Sequence, residues 1–331
     1  MIKILPQIVL GLWGIMPGNY SGITHVRDNV YAIVDDKDRV DGFKLLTLDI
    51  DSVNGKVRNA RLEEPQGMAK RRAEGVNTNR DCEGVAYFND RATVFVSGEE
   101  DQRILEYSLN GEPTGRELAI PSIMRRDKIT TNLGFEALTY NAKQQRFWTT
   151  TESTLPADGR QSSAKNRDVH NLLRFISFDT TLQPRESFVY EMDLPKSSNT
   201  KAAGIHGVPS LLALDDGRVI VMEREGCFPK NKYGSWVQIK LYMVNPGAEC
   251  QVSLETPMKN VGRESIMKKE LICSFITRLR LGMMNISNYE GMCLGPKLAD
   301  GRQTLILIAD SQNGMGNSLY HIKDHIRLII L

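Results

Sequence analysis

Short runs of β-branched and aromatic residues, bounded by turn residues, recur along this chain, and the 3.6-residue spacing of amphipathic helices is nearly absent. One pattern returns five times. It opens with Ser or Glu and small apolar residues, passes a short turn, and continues into a strand ending in acid. A strand of the form L-x-x-aromatic or L-x-x-aliphatic follows. The first copy reads YSGITHV, VYAIVDD, KLLTLDID and the second CEGVAYF, TVFVSGEE, RILEYSL. The third is FEALTY, RFWTTTE, LLRFISFD, the fourth PSLLALDD, RVIVMERE, KLYMVN, and the fifth YEGMCLG, TLILIAD, SLYHIK. Most copies add a fourth strand: GKVRNARL, GRELAIP, ESFVYEMD, ELICSFI and, at the end, HIRLIIL. Asn54-Gly55, Asn110-Gly111 and Asp216-Gly217 are hairpin signals. The repeats predict an all-β chain, one β-propeller domain over residues 1–331 with five blades of four antiparallel strands. Ile2–Leu10 reads as a strand that pairs with the last blade. The stretch Asn245–Leu281 is long enough for a degenerate sixth blade, and Met258–Lys269 holds a short helical turn pattern.

Strand order predicts where the chemistry sits. If each first strand starts at one face, the connections between strands two and three and between blades return to that face. These are the long loops: Glu63–Asp81, Ser122–Leu133, Ser153–Asn171, Pro195–Val208, Gly226–Gln238 and Arg280–Asn288. Loops on a rigid scaffold are where binding and catalytic residues concentrate. The residues opening the innermost strands are Ser21, Glu83, Glu136, Ser210 and Glu290. Brought together, three carboxylates would repel and take up protons unless a cation intervened. Calcium accepts six to eight oxygens in flexible geometry, whereas magnesium demands a tighter octahedron, so a Ca2+ ion is the expected cofactor. The ordinary alternative is that these side chains line a wet pore or bond to nearby backbone.

Acids also close the second strands: Asp35, Asp36, Glu99, Glu100, Glu152, Glu223, Glu225 and Asp310. Arg80, Arg103, Arg224 and His206 lie close to them in sequence. A metal ion, a carboxylate that activates water and an arginine that holds an anion together suit hydrolysis of phosphate esters. On that reading Asp35, Glu99, Glu152, Glu223, Asp310 and His206 are the catalytic candidates, and Arg80, Arg103 and Arg224 bind the substrate. Taken singly, an acid at a strand end is most often a solvated turn residue. Trp13, Trp148 and Trp236 read as packing.

Composition narrows the classes. Forty-two basic against 40 acidic residues leave a net charge of +2, too small for a dedicated nucleic-acid binder. The five cysteines are dispersed, with no C-x-x-C pair, and specify neither a zinc site nor a disulfide framework. The opening MIKILPQIVLGLWGIMPG is broken by Pro6 and Gly11, which makes it a poor signal peptide and too short to span a membrane. The sequence has no P-loop, no H-E-x-x-H, no dinucleotide fingerprint and no nucleophile elbow.

The phrases NYSGITHV, VDDKDRVDGF, DCEGVAYF, GFEALTY, GVPSLLALDDGRVIVMERE and YEGMCLGP resemble the phytase-like family, also called esterase-like activity of phytase, from about Gly18 onward. The resemblance implies hydrolysis of phosphoesters or other esters, and a protein of bacterial type that is often periplasmic or secreted. The ordered set Ser, Glu, Glu, Ser, Glu is also similar to the central site of the calcium-activated nucleotidases, or apyrases, which are five-bladed propellers. It implies Ser21, Glu83, Glu136, Ser210 and Glu290 as a calcium shell. The expected partner is a small phosphate ester or other anionic ligand. The competing expectation is a non-catalytic propeller that binds a carbohydrate, peptide or protein, with calcium purely structural. Oligomeric state and substrate are not encoded in these patterns.

Overall fold

The computed structural model describes residues 2–312, 314, 316, 317 and 320–331. The fold is all-β, a five-bladed propeller of four-stranded antiparallel blades. Two short N-terminal strands, β1 (Lys3–Ile4) and β2 (Ile8–Val9), precede the first blade, β3 (Tyr20–Arg27), β4 (Val30–Asp35), β5 (Lys44–Ile50) and β6 (Val57–Glu63). Helix α1 (Gln66–Ala73) leads to the second blade, β7 (Cys82–Phe88), β8 (Thr93–Gly98), β9 (Arg103–Ser108) and β10 (Pro113–Glu117). The third blade holds β11 (Phe135–Asn141), β12 (Arg146–Thr151), β13 (Leu172–Phe178) and β14 (Pro184–Glu191). The fourth holds β15 (Ala203–Ala213), β16 (Val219–Phe228), β17 (Trp236–Val244) and, past a two-residue strand β18 (Gln251–Val252) that pairs with β14, the long β19 (Lys269–Arg280) and the short β20 (Met283–Met284). The fifth is built on β21 (Asn288–Lys297) and β22 (Gln303–Asp310).

The turn chemistry explains the hairpins. Gly111 and Gly217 adopt φ of 84° and 88°, the left-handed region that a side chain resists, so Asn-Gly and Asp-Gly reverse the chain where expected.

The fifth blade departs from expectation. Beyond the small hairpin of β23 (Gly316–Asn317) and β24 (Tyr320–His321), the strand beside β22 is β25 (His325–Ile330). HIRLIIL is therefore the third strand, not the fourth. SLYHIK is not a blade strand, and its Ser318 and Leu319 lie outside the described residues. The N-terminus supplies the outer strand: Lys3 pairs with Ile330, and Ile8 with Ile326. Ile2–Leu10 thus pairs with the last blade as its apolar pattern predicted. The stretch 245–281 holds β18, short 3₁₀ turns and the outer strand of the fourth blade, and among the described residues it forms no blade of its own. The unforeseen element is α1, hidden in a basic stretch with little apolar periodicity. Its Arg71 is buried and donates to Asp41 Oδ1 at 2.7 Å and to the Gly111 carbonyl at 3.0 Å, which fastens the helix down.

The chain divides into two compact units. Unit 1 comprises Met1–Gly98, Ile104–Glu117 and Ser287–Leu331, and carries the first, fifth and most of the second blade. Its core packs Ile33, Leu46, Ile306, Ile308 and Leu328 in one cluster and Val34, Phe43, Val85, Val96 and Tyr107 in another. Unit 2 comprises Glu99–Arg103 and Leu118–Ile286, with the third and fourth blades around Phe175, Tyr190, Leu211, Val221 and Tyr242.

Candidate functional site

Every innermost strand breaks register, four near their start and β15 midway along its length. The bulges fall between Tyr20 and Gly22, Cys82 and Val85, Phe135 and Ala137, Gly207 and Ser210, and Tyr289 and Gly291. Ser21, Glu83, Glu136 and Glu290 are bulge residues, and Ser210 immediately follows its bulge. A bulge re-aims the extra side chain and loosens the ladder locally, as is common beside functional sites. In unit 1 the inner strands β21, β3 and β7 also approach closely. A Cβ on Gly22 would stand 2.3 Å from the Glu83 carbonyl oxygen, and one on Gly291 would stand 2.9 Å from the Ile23 nitrogen. Glycine after the bulge is what lets these backbones meet.

Register also defines a second equivalent position, the residue just past the pair that precedes each bulge. Its occupants are Asp36, Glu99, Glu152, Glu225 and Asp310. In the first blade alternation separates Asp36 from Asp35, and in the fourth it sets Arg224 on the face opposite Glu223 and Glu225, since neighbouring strand residues point to opposite faces. Asp35 pairs with Lys44 at 2.8 Å. Glu223 accepts from Tyr190 and from Lys269, each at 2.6 Å, on the other side of β16.

The three acids that follow the second strands of the first, second and third blades differ in how they are satisfied. Glu99 Oε1 accepts from the Gly134 N–H at 2.8 Å, and both belong to unit 2. Glu152, also in unit 2, pairs with Arg224 at 2.8 Å, and the same guanidinium reaches Glu136 at 3.4 Å. Gly207 makes room for this contact, since a Cβ there would lie 2.3 Å from Glu152 Cγ. Asp36, in unit 1, is 6% exposed, and its Oδ1 has no hydrogen-bond partner. A buried carboxylate oxygen without a donor is costly.

Asp36 stands in a carboxylate cluster. Single oxygens of Asp36, Asp81 and Glu83 lie within 4.8 Å of one another. Burial pushes the Asp36 carboxyl up to about 7, and the charge of Glu290 adds to the rise, against Lys37 and the side chain of Asn19. Asp310, wholly buried, is also raised well above the carboxylate range, first by burial and then by Glu290 and Asp36. Glu290 accepts from Asn288 Nδ2 at 2.7 Å, and the Ser21 hydroxyl donates to the Asn19 carbonyl at 3.3 Å. The resident cation is Lys37, whose ammonium contacts Asp36 at 3.1 Å and Asp81 at 2.5 Å while its side chain stays 51% exposed. Asp81 escaped the sequence analysis because it precedes its strand, in a left-handed conformation at φ 54°.

The remaining candidates are Arg80, Arg103 and His206. Arg80 is buried, with Nη1 3.3 Å from the Tyr107 hydroxyl, and Arg103 is exposed at the start of β9. His206 lies in unit 2 on β15, opposite Glu225 on β16, and its Nδ1 is 3.0 Å from Ser162 Oγ. Burial lowers its imidazole, Lys240 adds to the lowering, and Glu225, Glu223 and Glu152 oppose it.

Bulged inner strands and buried carboxylates define an acid-bearing β-propeller. The model of the phytase-like family, described as esterase-like activity of phytase, matches residues 16–312, and the chain belongs to that family. Among curated proteins no sequence matches. Solved structures similar to it include a tail fiber of a Staphylococcus aureus phage (9% identity, all of this chain and 52% of that one, TM-score 0.43). A β-xylosidase/α-arabinofuranosidase from a compost microbial metagenome is 10% identical over all of this chain and 95% of that one, with TM-score 0.44. A β-propeller domain from Myceliophteria thermophila is 7% identical over the whole of both chains, with TM-score 0.33. Likeness at this level says nothing of activity. Among the described residues, no helix is long and apolar enough to cross a membrane.

Proposed function

We propose that this protein is a calcium-dependent hydrolase of phosphate esters or related anionic esters, with the ion held on unit 1 by Asp36, Asp81 and Glu83. The observation that carries this reading is the buried, unpartnered Oδ1 of Asp36 within a cluster of three carboxylates. The second and third blades satisfy the same position with a backbone N–H and with an arginine. A hard divalent ion, completed by water, supplies what the first blade lacks. The charge of Glu290 favours the ion further.

Binding requires Lys37 to leave Asp36 and Asp81, which its half-exposed side chain is free to do. A calcium ion there would polarise an ester oxygen and stabilise charge that builds on it. The displaced ammonium of Lys37 is then available to an anionic substrate. Family membership supports both the hydrolase class and export to the periplasm or medium, where calcium is plentiful.

The test is hydrolysis of p-nitrophenyl phosphate, phytate and nucleotides by the purified chain with calcium and with a chelator. Turnover with calcium that chelation removes and Glu83→Gln lowers is the expected result. No turnover of any of them with millimolar calcium contradicts the assignment.

A further inference from the structure

We propose that Ser162 and His206, on unit 2, form a nucleophile–base pair for acyl transfer from carboxylic esters, a chemistry separate from the calcium-dependent reading above. Ser162 Oγ and His206 Nδ1 are 3.0 Å apart, hydrogen-bond distance for a hydroxyl that hands its proton to an imidazole. Each member is held by a different element. The Ser162 N–H donates to Asn171 Oδ1 at 2.7 Å, and Asn171, itself buried, donates to Ser153 Oγ at 3.1 Å. The long loop between the second and third strands of the third blade is thus pinned where Ser162 turns inward, between a half-buried Gln161 and an exposed Ser163. His206 stands on a paired strand, directly across from Glu225. Glu225 is fixed in turn, its Oε1 accepting from the Lys196 and Ser197 N–H groups at 2.8 Å each. A nucleophile, a base and an anchored carboxylate beside the base are the parts that activate a serine.

The molecule contains its own contrast. Ser287 Oγ and His325 Nδ1 are also 3.0 Å apart, but those residues are 0% and 5% exposed, within the core of the fifth blade. Ser162 is itself only 6% exposed, but His206, unlike His325, is half-buried, so its ring is the open side of the pair. In the step itself, Ser162 Oγ bonds to the ester carbonyl carbon as its proton passes to His206 Nδ1. The carbon–oxygen bond to the alcohol then breaks, and the alcohol leaves with that proton. Water, deprotonated by the same nitrogen, releases the acid and restores the serine.

The experiment uses the full chain in EDTA, so that loss of the calcium-dependent activity does not affect the readout. It is treated with a fluorophosphonate probe and, separately, with p-nitrophenyl acetate. The expected result is a covalent label on the peptide containing Ser162, absent in Ser162→Ala and slowed by about 100-fold or more in His206→Gln. Ser162→Cys, which preserves the contact with His206, guards against a folding defect: it loses the fluorophosphonate label and keeps measurable p-nitrophenyl acetate hydrolysis. An unlabelled wild-type protein, a label elsewhere, or His206→Gln reacting as fast as wild type overturns the proposal.

Discussion

The guanidinium of Arg224 lies 2.8 Å from Glu152 and 3.4 Å from Glu136, so one buried side chain neutralises two carboxylates in unit 2. Removing one partner of a buried ion pair strands the others without compensation. Arg224→Met is expected to cost about 3–5 kcal/mol of stability. The double variant Arg224→Met, Glu152→Gln should recover much of the loss. Urea denaturation of the single and double variants measures both.

Close approach of backbones in unit 1 gives a second expectation. With only 2.3 Å between a Cβ on Gly22 and the Glu83 carbonyl, Gly22→Ala must push β3 and β7 apart, because a strand carbonyl cannot swing aside. The loss is expected to be about 3 kcal/mol, at the upper end of overpacking costs. Weaker calcium binding should accompany it, since Glu83 moves. Thermal melts with and without calcium show both effects.

Much of this arrangement was legible in the sequence, and the exceptions have physical causes. Five repeats, their strand boundaries and the N-terminal strand in the last blade follow from apolar alternation and turn residues. Ser21, Glu83, Glu136 and Glu290 were visible because each opens an apolar strand, and the glycine after Ser21, Glu83 and Glu290 marks the bulge. Sequence could not say that Asp36, not Asp35, joins the cluster. Adjacent acids differ only in which face of the strand they occupy, and the bulge at Ser21 sets that register. Asp81 sits outside any strand, and α1 forms because Arg71 finds Asp41 and Gly111, partners remote in sequence. The last strands were misassigned because both SLYHIK and HIRLIIL fit the same apolar pattern, and only pairing with β22 separates them.

Acid sensitivity is expected from His325. Burial pushes its imidazole down to about 4, with the charge of Arg327 adding to the effect and a hydrogen bond with the Lys323 backbone opposing it, whereas an unfolded chain protonates near 6.5. The folded state therefore takes up this proton later than the unfolded state. The stability contributed by the neutral ring is complete above pH 6.5 and is lost as pH falls toward 4, about 3 kcal/mol in all. Asp36 and Asp324, raised to about 7 and about 6, slope the opposite way in that range. Comparison with His325→Gln isolates the histidine: the variant should be less stable at pH 7.5, and the gap should shrink by pH 4.5. Urea midpoints at the two pH values check this.

Lys37 competes with calcium for Asp36 and Asp81. Lys37→Met removes the competitor and is expected to tighten calcium binding by roughly fivefold, about 1 kcal/mol, in line with a half-exposed ion pair. If Lys37 also receives the substrate anion, the same variant should raise KM for a phosphate ester. A calcium titration and a substrate saturation curve on one preparation separate the two roles.

Calorimetric titration of the chelator-stripped chain with calcium bears most directly on the carboxylate cluster. Saturable uptake that Asp36→Asn and Glu83→Gln each weaken by at least about tenfold, with Asp36→Asn more stable than wild type in the absence of calcium, is the predicted result. Wild-type protein that takes up no calcium at millimolar concentration, or variants that bind as tightly as wild type, would contradict it.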